Sequence, residues 1–502
     1  MTKILALFFL TILSAQLHSQ SVDSWEELKN HTAAPEWFAD AKLGVYFHWG
    51  IYSVPAWGSE WYPRWRYTPD RVGWGQDIYD YHLSTYGDST HYHDFIPMWS
   101  APNFDAKLWV DMFENMGAKF IGSIAEHHDG FSLWDSEVNE WNSYDMGPRL
   151  DVVSAIGEEV KRRGLKYMTT FHHGFHMMFY PKPENSYLRP VSRLNLVYEQ
   201  RDLLVPQETK YRKLYGNMDY DESNDLWLAK LDEVIEAHCP DYIWMDFGQR
   251  FVKESHRQLF LKHYFEKAKQ QGKDVVVNTK GDFFPKELAV VNVERSTMPD
   301  IQEEVWITDF ILGSSWCYNQ SKRTAIDPKQ AIRMLAEVVS KNGVMLLSAG
   351  PMADGTMPKE QIEAMEAIGA WMKRYGEAIY ETRPFKTYGE GPTQIRKRPN
   401  DPWNEFGALK GGLDELNSQD IRYTQKGKII YAIQLGWDVE NKFRSLSALA
   451  KHGASIKVRS VSVLGSEERI SWKQTKKGLT LKQPSIMPLE ADAAMVYKIE
   501  LR

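Results

Sequence analysis

The stretch "LWLAKLDEVIEAHCPDYIWMD", Leu226 to Asp246, contains one complete unit of the fold. Leu226 to His238 spaces its apolar residues as one face of a helix, and Pro240 then stops any helix from continuing. "YIWM", Tyr242 to Met245, is apolar at every position, as in a strand covered on both faces. That strand runs directly into Asp246. A carboxylate at the lip of an apolar strand is costly unless it is paired or used.

The same unit recurs on either side, with Gly in place of Pro as the stop. "LWVDMFENMG" (Leu108 to Gly117) leads to "AKFIGSIAE", and "VVSAIGEEVKRRG" (Val152 to Gly164) leads to "LKYMTTF". "HRQLFLKHYFEKAKQQG" (His256 to Gly272) leads to "KDVVVNT", and "AIRMLAEVVSKNG" (Ala331 to Gly343) leads to "VMLLSAG". A Gly after the last helical residue takes the left-handed turn at low cost. Helix–strand alternation of this kind predicts an α/β fold with a parallel sheet.

The residues at the carboxyl ends of the strands separate a barrel from an open sheet. "LGVYF" ends at His48, "AKFIGSIAE" at His127-His128-Asp129, and "LKYMTTF" at His172-His173. "DYIWM" ends at Asp246, "KDVVVNT" at Lys280, and "LAVVNV" at Glu294. A (β/α)8 barrel gathers the carboxyl ends of its strands around one site, whereas an open sheet spreads them along a line. No glycine-rich phosphate loop comes after the first strand, so the dinucleotide-binding alternative lacks its fingerprint. The expected fold class is therefore α/β, a (β/α)8-type barrel. Beyond about Pro384, runs such as "KGKIIYAIQLG" and "AAMVYKIELR" alternate with period two, which predicts a C-terminal antiparallel β-sandwich.

The expected organisation is thus a signal peptide at 1–20, a catalytic barrel at 21–384 and a β-sandwich at 385–502. The first of these rests on Lys3, the apolar run Ile4 to Leu13 and the small and polar residues after it. That run is too short to cross a bilayer, and no later one is long enough. Secretion or delivery to a periplasm is the expected localisation. The net charge of −7 carries no acidic or basic blocks, which argues against nucleic-acid or membrane-surface partners. Aromatic residues are abundant, with 19 Trp, 25 Tyr and 22 Phe, and aromatic faces suit either a large core or a sugar cleft. Cys239 and Cys317 are expected to be buried separately as small apolar groups.

The residues allow more than one chemistry. Asp246 and Glu294 end strands two apart in the barrel, an arrangement compatible with a facing carboxylate pair for glycoside hydrolysis. The cluster "AEHHDG", with His48 and His172, could instead supply a metal-dependent hydrolase, although no "HExxH" spacing is present. Neutral His side chains bonded to sugar hydroxyls are the third reading, and His bonded to neighbouring carboxylates the fourth.

"FHWGIYSVPAWGSEWYPRWRY", Phe47 to Tyr67, resembles the α-L-fucosidases of glycoside hydrolase family 29. The resemblance continues in "HHDGFSLWDS" (His127 to Ser136), "IWMDFG", "SSWCYN" (Ser314 to Asn319) and "NGVMLLSAGPMADGTMP" (Asn342 to Pro358). It covers roughly residues 30 to 385. It implies a retaining exo-α-L-fucosidase acting on fucosylated oligosaccharides or polysaccharides, without metal or organic cofactor. Asp246 looks like the nucleophile and Glu294 the acid/base, with Glu303 and Glu304 as alternatives for the second role. His48, Glu60, Trp61, His127 and His128 match residues that bind fucose hydroxyls, and His172 falls near a position where the family has Tyr or His. Trp244 and Trp316, with Tyr46, would wall the C6 methyl. Lys280 stands where the family often has Arg, and Cys317 where it has Gly. A related α-L-galactosidase and a non-catalytic fucose-binding protein are the alternatives within this resemblance. The oligomeric state is not legible.

Overall fold

The computed structural model describes residues 24–69, 72–181, 204–398, 405–440, 442–451 and 456–502. The expected signal peptide, 1–20, lies outside them.

Eight parallel strands close into a barrel in chain order: β1 (Leu43–Phe47), β2 (Phe120–Glu126), β3 (Lys166–Phe171), β4 (Tyr242–Met245), β5 (Val276–Thr279), β6 (Val290–Glu294), β7 (Trp306–Ile311) and β8 (Gly343–Ala349). Closure is through β8 and β1, paired from Leu43 with Met345 to Phe47 with Ala349. Nearly every strand residue is buried, because one face fills the barrel and the other meets the helices. Phe120, Met168, Tyr242, Val290, Val344 and Leu346 belong to the interior core. Phe38, from a short helix ahead of β1, packs on Tyr242 with ring centroids 5.4 Å apart and joins that core.

The outer layer contains α1 (Ala106–Met116), α2 (Val152–Arg162), α3 (Tyr220–His238), α4 (Glu254–Gln270), α5 (Pro328–Ser340) and α6 (Lys359–Tyr375). Asp105, Asp151, Asp219 and Asp327 cap α1, α2, α3 and α5, their carboxylates accepting from backbone N–H groups otherwise left without partners. Gly117 ends α1 at φ 106, as expected of the stop. Two stops differ. Asn342, not Gly343, takes the left-handed turn after α5 (φ 72), and Cys239 takes it after α3 (φ 38), ahead of the Pro. Gly343 instead opens β8, where a Cβ would fall 2.6 Å from the Trp306 ring.

The alternation lapses at one place. Turns alone join β5 to β6 and β6 to β7, and β7 itself was not among the strands expected from the sequence.

Beyond the barrel, β9 (Arg383–Glu390), β10 (Ile421–Lys426), β11 (Ile429–Gln434), β13 (Val458–Val463) and β16 (Met495–Leu501) form one antiparallel sheet. β12 (Phe443–Leu446), β14 (Trp472–Thr475) and β15 (Gly478–Lys482) form a second. Leu446 and Leu481 of the second sheet share one buried cluster with Ile433 and Val496 of the first. This half is fastened to the barrel through α5. Glu337 is fully buried, 2.5 Å from Lys341 at the end of its own helix, and pairs with the buried Arg422 of β10. Trp371 of α6 donates its Nε1–H to the Ala494 carbonyl at 2.8 Å.

Candidate active site

A cavity of about 440 Å³ opens at the carboxyl ends of the barrel strands. All eleven site residues expected from the sequence line it: Asp246, Glu294, His48, Glu60, Trp61, His127, His128, His172, Trp244, Lys280 and Trp316. Glu303 and Glu304 do not; they sit exposed in the turn before β7.

Lys280, just past β5, is the hub of the charged wall. Its Nζ donates to Asp246 Oδ1 at 3.0 Å and to Glu294 Oε2 at 3.2 Å, and lies 3.8 Å from Asp309 Oδ2. The ammonium also stands 4.6 Å from the centroid of the Trp244 ring. An amine expected to meet substrate hydroxyls is thus occupied by three carboxylates. Burial would lower its pKa, but the neighbouring carboxylates, Asp246 foremost, outweigh that and raise it above the ordinary lysine range. Lys280 is charged.

Asp246 follows β4, and its backbone N–H is held by the Phe171 carbonyl at 3.1 Å. Its second oxygen lies 3.4 Å from His128 Nε2. His128 is oriented by its other nitrogen, which donates to the His172 carbonyl at 2.6 Å. Burial pushes the Asp246 carboxyl up, but the Lys280 charge and the hydrogen bond from His128 prevail and hold it well below the usual range. It is an ionised carboxylate in a largely dry site. Glu294 differs: its side chain is 26% exposed against 9% for Asp246, which gives it access to water at the mouth.

The imidazoles form the opposite wall. His48 Nδ1 pairs with Ser348 Oγ of β8 at 2.7 Å. Burial lowers its pKa to about 3 and takes His127 and His172 well below the ordinary value, so all three are neutral. Adjacent residues in a regular strand would point to opposite faces. His127 and His128 both reach the cavity because the β2–β3 register shifts between Ile124 and Glu126, and the strand ends there. Their neighbours in "AEHHDG" serve packing instead. Glu126 is buried against Lys230 at 2.7 Å and accepts from Ser132 Oγ, while Asp129 accepts from the Tyr92 hydroxyl.

Glu60, also buried, accepts from Ser315 Oγ at 3.4 Å, and burial pushes its carboxyl up to about 8. Protonated, it can donate as well as accept. Tyr46 and Trp244, with ring centroids 5.8 Å apart, and Trp316, beside His48, supply apolar faces. Trp61 packs edge-on against His128.

Sequence reasoning missed Asp309 and Ser348. Asp309 is fully buried on β7 in register with Glu294, accepts from Asn292 Nδ2 at 2.9 Å, and has its carboxyl pushed up by burial. The one available signal was the β-rich run "WITDFI" before Gly313.

Residues 9–377 match the family described as Alpha-L-fucosidase. The chain belongs to the alpha-L-fucosidase family. Residues 414–502 match that family's C-terminal domain. Among curated relatives, the human tissue alpha-L-fucosidase is 27% identical over 507 residues, covering 98% of this chain and 94% of its own. The human plasma alpha-L-fucosidase is 26% identical over 92% of this chain and 87% of its own. Among solved structures, the Thermotoga maritima alpha-fucosidase in complex with a mechanism based inhibitor superposes with a TM-score of 0.71. It is 25% identical and covers 96% of this chain and 100% of its own. The same enzyme in complex with fucose gives 0.69 at the same identity and coverage.

Proposed function

We propose that the chain releases terminal L-fucose from α-L-fucosides with retention of anomeric configuration, Asp246 acting as nucleophile and Glu294 as general acid and then base. The observation that carries the pairing is the position of Lys280 Nζ, 3.0 Å from one carboxylate and 3.2 Å from the other, and the roles divide by the deeper burial of Asp246 against the more open Glu294. Two oxygens that share one ammonium in this way lie within about 6 Å of each other. Retaining glycosidases hold their pair about 5–5.5 Å apart, and inverting ones about 6.5–9.5 Å.

In the first step an Asp246 oxygen bonds to the anomeric carbon as the glycosidic C–O bond breaks, and Glu294 gives its proton to the departing oxygen. In the second, Glu294 takes a proton from water, the water oxygen bonds to the anomeric carbon, and the ester to Asp246 opens. Lys280 keeps Asp246 ionised for attack and stabilises it as it leaves. The neutral His48, His127 and His172, with His128, Glu60 and Trp61, offer donors and acceptors to the sugar hydroxyls. Tyr46, Trp244 and Trp316 suit a C6 methyl, which asks nothing of a hydrogen-bonding partner. The fucose-bound and inhibitor-bound Thermotoga maritima relatives support this reading of the cavity.

Proton NMR of the first product formed from an aryl α-L-fucoside tests it: α-L-fucose ahead of mutarotation is expected, and β-L-fucose would reject retention. Export is a further part of the proposal, supported by Lys3 and the apolar run Ile4 to Leu13. The mass of the mature N-terminus after expression in a secreting host tests it.

A further inference from the structure

We propose that the histidine wall of the cavity is also a binding site for a divalent transition-metal ion, and that such an ion inhibits by taking the place of the sugar. His48, His127 and His172 are buried, and each offers one ring nitrogen within 4.8 Å of the other two. The three ring centroids stand 5.6, 5.3 and 4.7 Å apart. A tetrahedral ion with metal–nitrogen bonds of about 2.0–2.1 Å sets its imidazoles about 5 Å apart, centre to centre. The spacing in the cavity straddles that value, and ring rotation on binding would draw the nitrogens, now within 4.8 Å of one another, to the roughly 3.3 Å that a tetrahedral ion sets.

Two further observations point to a ligand. His127 Nδ1 and His172 Nδ1 are buried with no hydrogen-bond partner among the described residues. His48 is held from behind by Ser348 Oγ at 2.7 Å, which fixes its ring with Nε2 as the remaining nitrogen. Metal-binding imidazoles are oriented by an outer hydrogen bond of this kind. Three nitrogens leave a fourth position for water, as in tris-histidine zinc sites. The ion this set prefers is therefore Zn²⁺, Co²⁺, Ni²⁺ or Cu²⁺, and not Mg²⁺ or Ca²⁺, which seek oxygen.

The ion would not assist hydrolysis, because the nitrogens that bind it are those assigned to the sugar hydroxyls. That competition rests on the function proposed above; the binding itself does not. Co²⁺ is the probe, added to protein without a histidine tag. One equivalent is expected to give the visible absorption of a tetrahedral site, and L-fucose to erase it. The absorption is expected to vanish in His172→Phe and in His127→Phe, each checked for its native circular dichroism. Ser348→Ala is expected to weaken Co²⁺ binding by about tenfold. In kinetics, Zn²⁺ should raise KM for an aryl α-L-fucoside and leave kcat unchanged, with reversal by EDTA. Absorption that persists in both folded His variants would overturn the site. Co²⁺ bound together with L-fucose, or Zn²⁺ lowering kcat at constant KM, would overturn the competition. Failure of the wild type to hydrolyse fucosides would reject the proposed activity and leave the Co²⁺ result standing.

Discussion

The Lys280 ammonium stands 3.0 Å from Oδ1 of Asp246, buried on the same wall of the cavity. This contact offsets the cost of placing a carboxylate in a largely dry site, and it ties the ionisation of Asp246 to the residue just past the next strand. Replacing Lys280 by Met removes the main influence that keeps the Asp246 pKa low. The Asp246 pKa must then rise. Because attack requires the carboxylate, the acid limb of the kcat/KM profile moves to higher pH. A pH–rate profile should show that shift together with a loss in kcat of about 10²–10³-fold. An unmoved acid limb would detach Lys280 from the nucleophile. Lys280→Arg should retain more activity than Lys280→Met, since it restores the charge.

Ser348 acts through His48. Ser348→Ala frees one ring nitrogen and allows the imidazole to turn, a loss of about 1 kcal/mol, or about fivefold, in substrate binding. Steady-state kinetics should therefore show a raised KM and a nearly constant kcat. A kcat loss larger than the KM change would indicate a part in the chemical step.

The apolar wall predicts selectivity. The wild type should prefer an aryl α-L-fucoside to the matching α-L-galactoside, because the added hydroxyl at C6 finds no partner against Tyr46, Trp244 and Trp316. Trp316→Ala should narrow the ratio of the two kcat/KM values by about tenfold or more. An unchanged ratio would place the methyl elsewhere.

Stability carries its own pH signature at the junction of barrel and sheets. Burial would raise Glu337, but Arg422 and Lys341 hold its carboxyl below the ordinary value. A group depressed on folding stabilises above its unfolded pKa and loses that contribution as pH falls through the folded one. Glu337→Gln leaves Arg422 buried without its counter-charge, at a cost of about 3–5 kcal/mol at neutral pH. Urea titrations should show the gap between wild type and variant closing as the medium is acidified below about pH 4.5. A gap independent of pH would mean that Glu337 acts through packing alone.

Most of the barrel was legible because seven of its strands are apolar runs, five of them announced by a helix and a stop residue. β7 was not. No helix separates it from β6, and Thr308 and Asp309 interrupt its apolar pattern. Asp309 went unseen with it. The carboxylate pair was legible because Asp246 and Glu294 each end an apolar strand. The bridge between them was not, since sequence shows that Lys280 ends β5 but not where four methylenes carry its charge. The convergence of His127 and His128 was legible only through the family resemblance, since regular strand alternation would part them and the irregular end of β2 suspends it. Glu303 and Glu304 were separable from Glu294 by their exposed, polar surroundings alone.

Azide rescue tests the central claim, the assignment of nucleophile and acid/base, most directly. With an aryl α-L-fucoside whose leaving group needs little protonation, Asp246→Ala and Glu294→Ala should both turn over slowly, the latter by about 10²–10⁴-fold relative to wild type. Azide should restore Glu294→Ala through an α-L-fucosyl azide. The small anion needs no base, and it opens the β-linked ester on Asp246 with a second inversion. In Asp246→Ala no such ester forms. Azide there can only replace the leaving group from the vacated side, and any rescued product should be the β-L-fucosyl azide, while wild type gives neither. Near-normal activity in Glu294→Ala, or an α-L-fucosyl azide from Asp246→Ala, would contradict the account.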